Sequence, residues 1–234
     1  MQPDQQGTRT IQDRFALDGR IALVTGASRG IGQALAVGLA EAGAEVVATG
    51  RSVEGLGQTA DIITTRGGRI TTVAADLLTP GAVRTLFTDI HELGLKPTIL
   101  VNNAGTDVLG PSRDVTEAEW DQIVDTNLKA AFFVAQGFAN QCDTGAIVNL
   151  GSLTSAVGVP TAVAYTASKS GILGLTRALA AEWAPDIRVN ALGPGYFRTA
   201  LTEAFYQNDA WQQKMLARIP MRRFGGLDDL VGAT

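Results

Sequence analysis

Arg20-Ile-Ala-Leu-Val-Thr25, followed at once by Gly26-Ala-Ser-Arg-Gly-Ile-Gly32, carries the reading of the fold. The first half is a short apolar run, β-branched in part, which suits a buried strand. The second half spaces three glycines as G-x-x-x-G-x-G. A helical pattern then runs from Gln33 to Ala42, and Gly43 closes it as a C-terminal glycine does. Glu45 to Thr49 reads as a second strand. Strand, glycine turn, helix and strand make a βαβ unit. In such a unit the glycines let the backbone turn tightly, admit a pyrophosphate and pack helix on strand. The free N–H groups of the helix N-terminus then face the phosphates. The spacing differs from the common G-x-G-x-x-G, so the nucleotide reading rests on the strand before it and the helix after it. A purely structural turn is the alternative.

The alternation continues outward from that unit. Val53 to Arg66 reads as helix, and Ile70 to Ala75 as a strand ending at Asp76-Leu77. Pro80 to Leu93 is helix, and Thr98 to Val101 is a strand before Asn102-Asn-Ala-Gly105. Ala146 to Leu150 and Ile187 to Leu192 are further strands. This order predicts an α/β fold, a single Rossmann-type doubly wound parallel sheet with helices on both faces. Ligands of such sheets bind beyond the C-terminal ends of the strands. Asp76, Asn102, Asn103, Ser152 and the segment after Asn190 all fall at such ends.

The helix expected over Val163 to Trp183 contains Tyr165-Thr-Ala-Ser-Lys169. Residues four apart on a helix share a face, so the phenol and the ammonium point the same way. A free phenol titrates near ~10. A fixed lysine cation is expected to lower that value, which would let Tyr165 give or take a proton at a substrate oxygen. Ser152, at the end of a strand, could hold that oxygen. In isolation such a pair is usually an amphipathic turn with a solvated lysine. Thr116-Glu-Ala-Glu119 is a capping box that opens a helix running to about Phe138. Asn127 lies on its apolar stripe, either as a satisfied core amide or as a link in a proton relay. Leu201 to Ile219 is amphipathic, with Phe205, Tyr206, Trp211 and Met215 mostly on one side. It is either a helix packed on the core or part of a lid, spanning residues 196–222, over the strand ends.

At 234 residues the chain fits a polar tail over 1–14 and one domain over 15–234. The net charge of −4 leaves no basic footprint for nucleic acid. One cysteine, Cys142, excludes an intrachain disulfide and a multi-cysteine metal site, so no metal is expected. The only histidine, His91, falls in an amphipathic helix away from the motifs, which disfavours a Ser-His-Asp hydrolase. Met1 to Gln12 reads as a mobile tail without the apolar core of a secretory signal, and no apolar run approaches membrane-spanning length. A cytoplasmic protein is the expectation. An acidic residue often ends the second strand of an NAD site, to meet the ribose 2′-hydroxyl. Here Gly50 and Arg51 stand there, with Arg29 in the glycine turn. Two guanidinium groups suit a 2′-phosphate, so NADP(H) is expected in preference to NAD(H). Two surface arginines are the alternative.

From about residue 15 onward the chain resembles the short-chain dehydrogenase/reductase family. The matching motifs are Thr25-Gly-Ala-Ser-Arg-Gly-Ile-Gly32, Asp76, Asn102-Asn-Ala-Gly105, Asn127, Ser152, Tyr165-x-x-x-Lys169 and Pro194-Gly195. The resemblance implies that Tyr165 is the general acid/base, that Lys169 lowers its pKa and binds the nicotinamide ribose, and that Ser152 holds the substrate oxygen. It implies that Asn127 anchors a relay to the lysine. It places the cofactor on Gly26, Ser28, Arg29, Gly30, Ile31 and Gly32, with Arg51 beside them. Asp76 and Leu77 would meet the adenine, Asn103 would lie along the cofactor, and Phe197 and Thr199 would lie near the nicotinamide carboxamide. Family members normally continue past Thr234 into a final strand, which is expected to be missing here. The segments Gly195 to Thr202 and Ile219 to Gly225 look most like the gluconate 5-dehydrogenase group. That implies a small-molecule substrate, namely a polyol, sugar acid or small cyclic ketone. Reductases of 3-oxoacyl thioesters share the same catalytic residues and are the alternative within the family. A non-catalytic NADP(H) sensor is the alternative outside it. The family commonly pairs helices equivalent to 116–138 and 162–184, so a homo-oligomer, tetramer or dimer, is expected.

Overall fold

The computed structural model describes residues 10–200 and 202–234. Six strands, β1 (Ile21–Thr25), β2 (Glu45–Gly50), β3 (Arg69–Ala74), β4 (Ile99–Asn102), β5 (Gly145–Leu150) and β6 (Ile187–Leu192), form one parallel sheet. Their order is β3-β2-β1-β4-β5-β6. This is the doubly wound arrangement that the alternation of elements predicts. The chain winds outward from β1 to β3, then returns to the other side of β1 at β4. The loops leaving β1 and β4 therefore run apart and leave a crevice between them, where sheets of this kind bind ligands.

Side-chain alternation along each strand builds a core on both faces. Ala22, Val24, Val46 and Ala48 point to one face. There they meet Leu35 and Leu39 of a helix that we label α2 (Gly30–Glu41) and Leu56 and Ile63 of α3 (Val53–Thr65). A short α1 (Ile11–Phe15) precedes β1, and Thr10 caps it. Leu23, Val47, Leu100 and Ile147 point to the opposite face. They pack on α4 (Ala82–Glu92), α6 (Ala130–Ala139) and α7 (Val163–Glu182), with α5 (Glu117–Val124) leading into α6. The Thr116 capping box forms as read from the sequence. Cys142 is buried, and its thiol donates to the Thr144 carbonyl.

Polar residues at the ends of β4 and β5 are tied into the same core. Asn102 and Asn149 are register partners. Asn102 Nδ2 donates to Asn149 Oδ1 and to the Ala131 carbonyl, each at 3.0 Å. Asn149 Nδ2 donates at 3.0 Å to Thr176 Oγ1, which in turn donates to the Ile172 carbonyl. The chain of bonds runs from the sheet into α7 and holds that helix in register with the strand ends.

Three sequence expectations differ from the structure. The helix read as continuous from 116 to 138 is interrupted by a π turn at Asp125–Lys129. The amphipathic stretch 201–219 forms two helices, α8 (Glu203–Tyr206) and α9 (Asp209–Arg218). Asn208 stops the first and caps the second by accepting from the Trp211 N–H. Leu201 lies outside the described residues. The polar tail was expected to run to residue 14, yet Thr10 and Asp13 form a reciprocal capping box that starts α1. Residues 1–9 lie outside the described residues. After β6 the described chain forms no further strand. A parallel bridge between Phe197 and Gly225 and a last helix, α10 (Asp228–Val231), complete it. Among the described residues no helix is long and apolar enough to cross a membrane.

Candidate active site

The glycine turn after β1 is held by the loop after β4. Gly26 and Gly30 have φ of +64° and +59°, a conformation that side chains disfavour. Asn103 Nδ2 donates to the Thr25 and Gly26 carbonyls at 2.9 and 3.0 Å. Thr25 Oγ1, buried at the end of β1, accepts from the Asn103 and Ala104 N–H groups at 3.0 Å each. A side-chain carbon on Gly32 would overlap Asn103 Nδ2 and the Gly26 carbonyl. Arg29 is the N-cap of α2 and makes no side-chain capping bond, so the first N–H groups of that helix keep their capacity for an anion.

A cavity of about 390 Å³ opens from this turn along the strand ends. Ser28, Arg29, Gly30 and Ile31 line it beside Gly26 and Gly32, and Arg51, Asp76 and Leu77 line it toward β2 and β3. Asn103 also lines it. Ser152, Tyr165 and Lys169 line the end toward β5 and α7, and Phe197 and Thr199 line the wall formed by the segment after β6. The structure thus brings together every site residue read from the sequence except Asn127, which lies behind the wall.

Local bonds set the reacting end. Lys169 is buried, and its Nζ donates at 2.7 Å to the Leu150 carbonyl at the end of β5. Ser152 is the second residue beyond that strand. Its backbone N–H donates to Ser155 Oγ at 3.1 Å, and Ser155 Oγ donates to the Lys169 carbonyl at 2.6 Å. Ser155, which the sequence did not single out, therefore ties the serine to the helix of the tyrosine. Asn127 is 1% exposed and sits in the π turn. Its Oδ1 accepts from the Thr106 N–H at 2.8 Å, and its Nδ2 donates to the Thr106 carbonyl at 2.9 Å and to Ser168 Oγ at 3.1 Å. Its amide thus joins the loop after β4 to α7. Single π turns of this kind often mark functional sites.

The electrostatics correct one expectation. Tyr165 was expected to titrate low because of Lys169. Burial instead pushes its pKa up, the Ser152 hydroxyl beside it pulls it partly back, and Asp107 adds to the rise. Burial brings Lys169 down to about 8, opposed by Asp107, and its ammonium is spent on the Leu150 carbonyl. Lys169 Nζ stands 5.7 Å from the centre of the Tyr165 ring. Asp107 is a third titratable group that the sequence did not reveal. Burial raises its carboxyl to about 6, against the lowering influence of the Val108 N–H and the Lys169 charge. It lies in an aperiodic stretch after Gly105, where no spacing rule marks one residue above its neighbours.

An anion cradle at the reversal point of a doubly wound sheet, opening on a serine, a tyrosine and a buried lysine, defines an oxidoreductase of the dinucleotide-binding class. The chain belongs to the short chain dehydrogenase family, whose model matches residues 20–210. It is 38% identical over 225 residues to a gluconate 5-dehydrogenase of Gluconobacter oxydans, covering 94% of this chain and 88% of that one. It is 38% identical over 229 residues to a galactitol 2-dehydrogenase of Rhizobium johnstonii, covering 95% and 89%. The crystal structure of a gluconate 5-dehydrogenase from Burkholderia cenocepacia, in complex with NADP and tartrate, superposes with a TM-score of 0.92. It is 36% identical, with 96% of this chain and 89% of that chain covered. The chain is accordingly an oxidoreductase acting on CH–OH groups.

Proposed function

We propose that this enzyme interconverts a secondary alcohol and a ketone with NADP(H), and that its substrate is a sugar acid, polyol or small cyclic ketone. One observation carries the reading: Ser152, Tyr165 and Lys169 line the same cavity as the glycine turn. The residues present fit a dinucleotide. The N-terminus of α2 is uncapped, and a side-chain carbon on Gly30 would meet only the Thr199 side chain, at 3.5 Å or more. Arg29 and Arg51 are exposed and take part in no ion pair among the described residues. These groups, with Asp76 and Leu77 at one end and Asn103, Lys169, Phe197 and Thr199 toward the other, would hold the cofactor. When bound, the nicotinamide would supply or accept the hydride.

The chain's own residues handle the oxygen and the proton. The Ser152 hydroxyl holds the substrate oxygen, and the Tyr165 hydroxyl gives it a proton in reduction or takes one in oxidation. With its pKa raised by burial, Tyr165 keeps its proton through the neutral range, which suits the reducing direction. Oxidation needs the deprotonated form and should gain with rising pH. Asn127 fixes the loop after β4 against α7. Residues 196–222 act as a substrate lid, supported by the ring cluster of Phe205, Tyr206, Trp211 and Phe224, which gives this segment its own packing. A cytoplasmic homo-oligomer, dimer or tetramer, completes the proposal. Exposed Trp120, Phe133 and Val163 on α5, α6 and α7 support it. Sedimentation of the full chain at micromolar concentration should give a species larger than the monomer, and a monomer alone would overturn it.

A panel of polyols, sugar acids, cyclic ketones and 3-oxoacyl thioesters, read at the nicotinamide absorbance, tests the function. Preferred turnover of a thioester, or of nothing, would sink the substrate assignment. Cofactor choice is tested with it. A hydrogen bond to a charged partner contributes ~1.5–3 kcal/mol, and exposure pulls that toward the low end. NADP(H) should then exceed NAD(H) in kcat/KM by about tenfold or more, at ~1.4 kcal/mol per decade. Arg51→Asp should reverse the order, because a carboxylate repels a phosphate and accepts from a free 2′-hydroxyl. Equal use of both cofactors by the unaltered enzyme would make Arg29 and Arg51 ordinary surface residues.

A further inference from the structure

We infer that Gly225 is a positioning residue: it leaves the space that keeps the Phe197 ring, and with it the base of the lid, seated at the nicotinamide end of the cavity. This rests on the proposed lid and cofactor and deepens both. The segment leaving β6 is tied to the strand end that carries Ser152. The Gly151 N–H donates to the Leu192 carbonyl and the Leu153 N–H to the Pro194 carbonyl, each at 2.8 Å. Phe197 comes soon after Pro194. It lines the cavity, and it packs against the core cluster that contains Leu35 of α2 and Leu230 of α10. Thr199 follows, at the place where a side-chain carbon on Gly30 would meet it at 3.5 Å. The segment thus runs from the serine to the glycine turn, along a wall that the nicotinamide would face.

The chain returns to this segment at residue 225. Phe197 and Gly225 form a parallel bridge, and the Gly225 N–H donates at 2.9 Å to the Tyr196 carbonyl. The Phe197 ring lies over the glycine: a side-chain carbon there would overlap Cε1, Cζ and Cδ1 of that ring. Close approach of this kind is a use that only glycine serves. Both stretches are anchored. The Phe197 carbonyl accepts from Thr202 Oγ1 at 2.7 Å. Arg223 and Gly226, on either side of the bridge, are bound to Asp229 of α10. Val231 of the same helix sits on α2 where Gly38 has no side chain, since an added carbon would overlap it. The backbone at 225 is therefore held, so a side chain there moves the ring and the cavity wall with it. Gly226 differs: an added carbon would meet only Asp229 Oδ2, at 3.8 Å.

NADPH and adenosine 2′,5′-bisphosphate test this, since the bisphosphate carries the adenosine end of the cofactor and lacks the nicotinamide. In calorimetric titrations Gly225→Ala should weaken NADPH by about tenfold and leave the bisphosphate within about twofold, a split that general loss of structure would not produce. Trypsin should cut the variant after the exposed Lys214 and Arg218 of the lid about tenfold faster, because an unseated lid opens more often. Gly226→Ala should change none of these. An NADPH affinity unmoved in Gly225→Ala, a loss shared equally by the bisphosphate, or a lid cut no faster overturns the inference. Should Gly225→Ala fail to fold, Gly225→Ala combined with Phe197→Leu takes its place. Without the ring atoms that the added carbon meets, it should fold and be cut at the unaltered rate. A second failure to fold, or a lid still cut faster, overturns the inference. An unaltered enzyme that binds neither NADPH nor NADH would overturn the proposed function, and the rate of lid cleavage in Gly225→Ala still decides for or against Gly225.

Discussion

Tyr165→Phe should lower turnover by about a thousandfold while leaving NADPH affinity within about a factor of two. A positioned acid or base contributes typically ~10²–10⁴ in rate, and the substitution removes that one hydroxyl. The ring stays, so its packing against Lys169 and the start of α7 should persist. Ser152 and Lys169 keep their own partners, Thr154, Ser155 and Leu150, none of which depends on the phenol. The loss should therefore appear in kcat, with thermal stability near that of the unaltered enzyme. The pH dependence adds a second check. With a phenol that holds its proton past its ordinary range, reduction should be flat through neutrality and fall only at alkaline pH, and the residual activity of Tyr165→Phe should lack that fall. Turnover near the unaltered level would remove Tyr165 from the chemistry.

Gly32→Ala should destabilise the fold by about 3 kcal/mol and weaken NADPH binding by more than tenfold. The cause is space, not backbone strain. The added carbon would overlap Asn103 Nδ2, which is held by two hydrogen bonds, and the backbone carbonyl of Gly26. If Asn103 is expelled, the Thr25 and Gly26 carbonyls lose their donor, at ~1–3 kcal/mol for each buried group left unpaired. If α2 shifts away instead, the apolar contacts of Leu35 and Leu39 with the sheet loosen, and overpacking of this kind costs typically ~1–3 kcal/mol. Either route moves the helix N-terminus away from the loop it is aimed at, which is why binding should suffer with stability. Urea denaturation and fluorescence titration with NADPH measure the two effects. Gly57→Ala is the control, because nothing lies within 4 Å of the added carbon. Within α3 that change should be neutral or stabilising by up to ~1 kcal/mol. A Gly32→Ala variant as stable as the control would show that the turn can relax around a side chain.

The alternation of strands and helices, the glycine turn and the Tyr165–Lys169 pair were legible because each depends on local spacing. Alternating apolar residues imply two covered sheet faces, and four residues of helix bring two side chains to one face. The strand-end residues Asp76, Asn103 and Ser152 were legible for the same reason, since a parallel sheet sends all such ends to one side. The capping box of Thr116 likewise needs only three residues of chain.

Other features had no such signature. The π turn at Asp125–Lys129 shifts the helix register by one residue without any glycine or proline to announce it. Ser155 acts across 14 residues, and Asn127 joins Thr106 to Ser168 across 21 and 41. Asn127 stood out on its apolar stripe, but its partners, and the role of Ser155, emerge only when the chain closes around them. The same holds for charge. Lysine beside tyrosine suggested a lowered phenol, but burial acts on both groups and drives the phenol up and the lysine down. Asp107 is an unremarked loop residue in the sequence, and only its burial in the folded chain raises its carboxyl. Periodicity is a property of neighbours along the chain, so the elements and their order could be read from it. Desolvation depends on what the folded chain excludes from water around each group, and no local spacing contains that information.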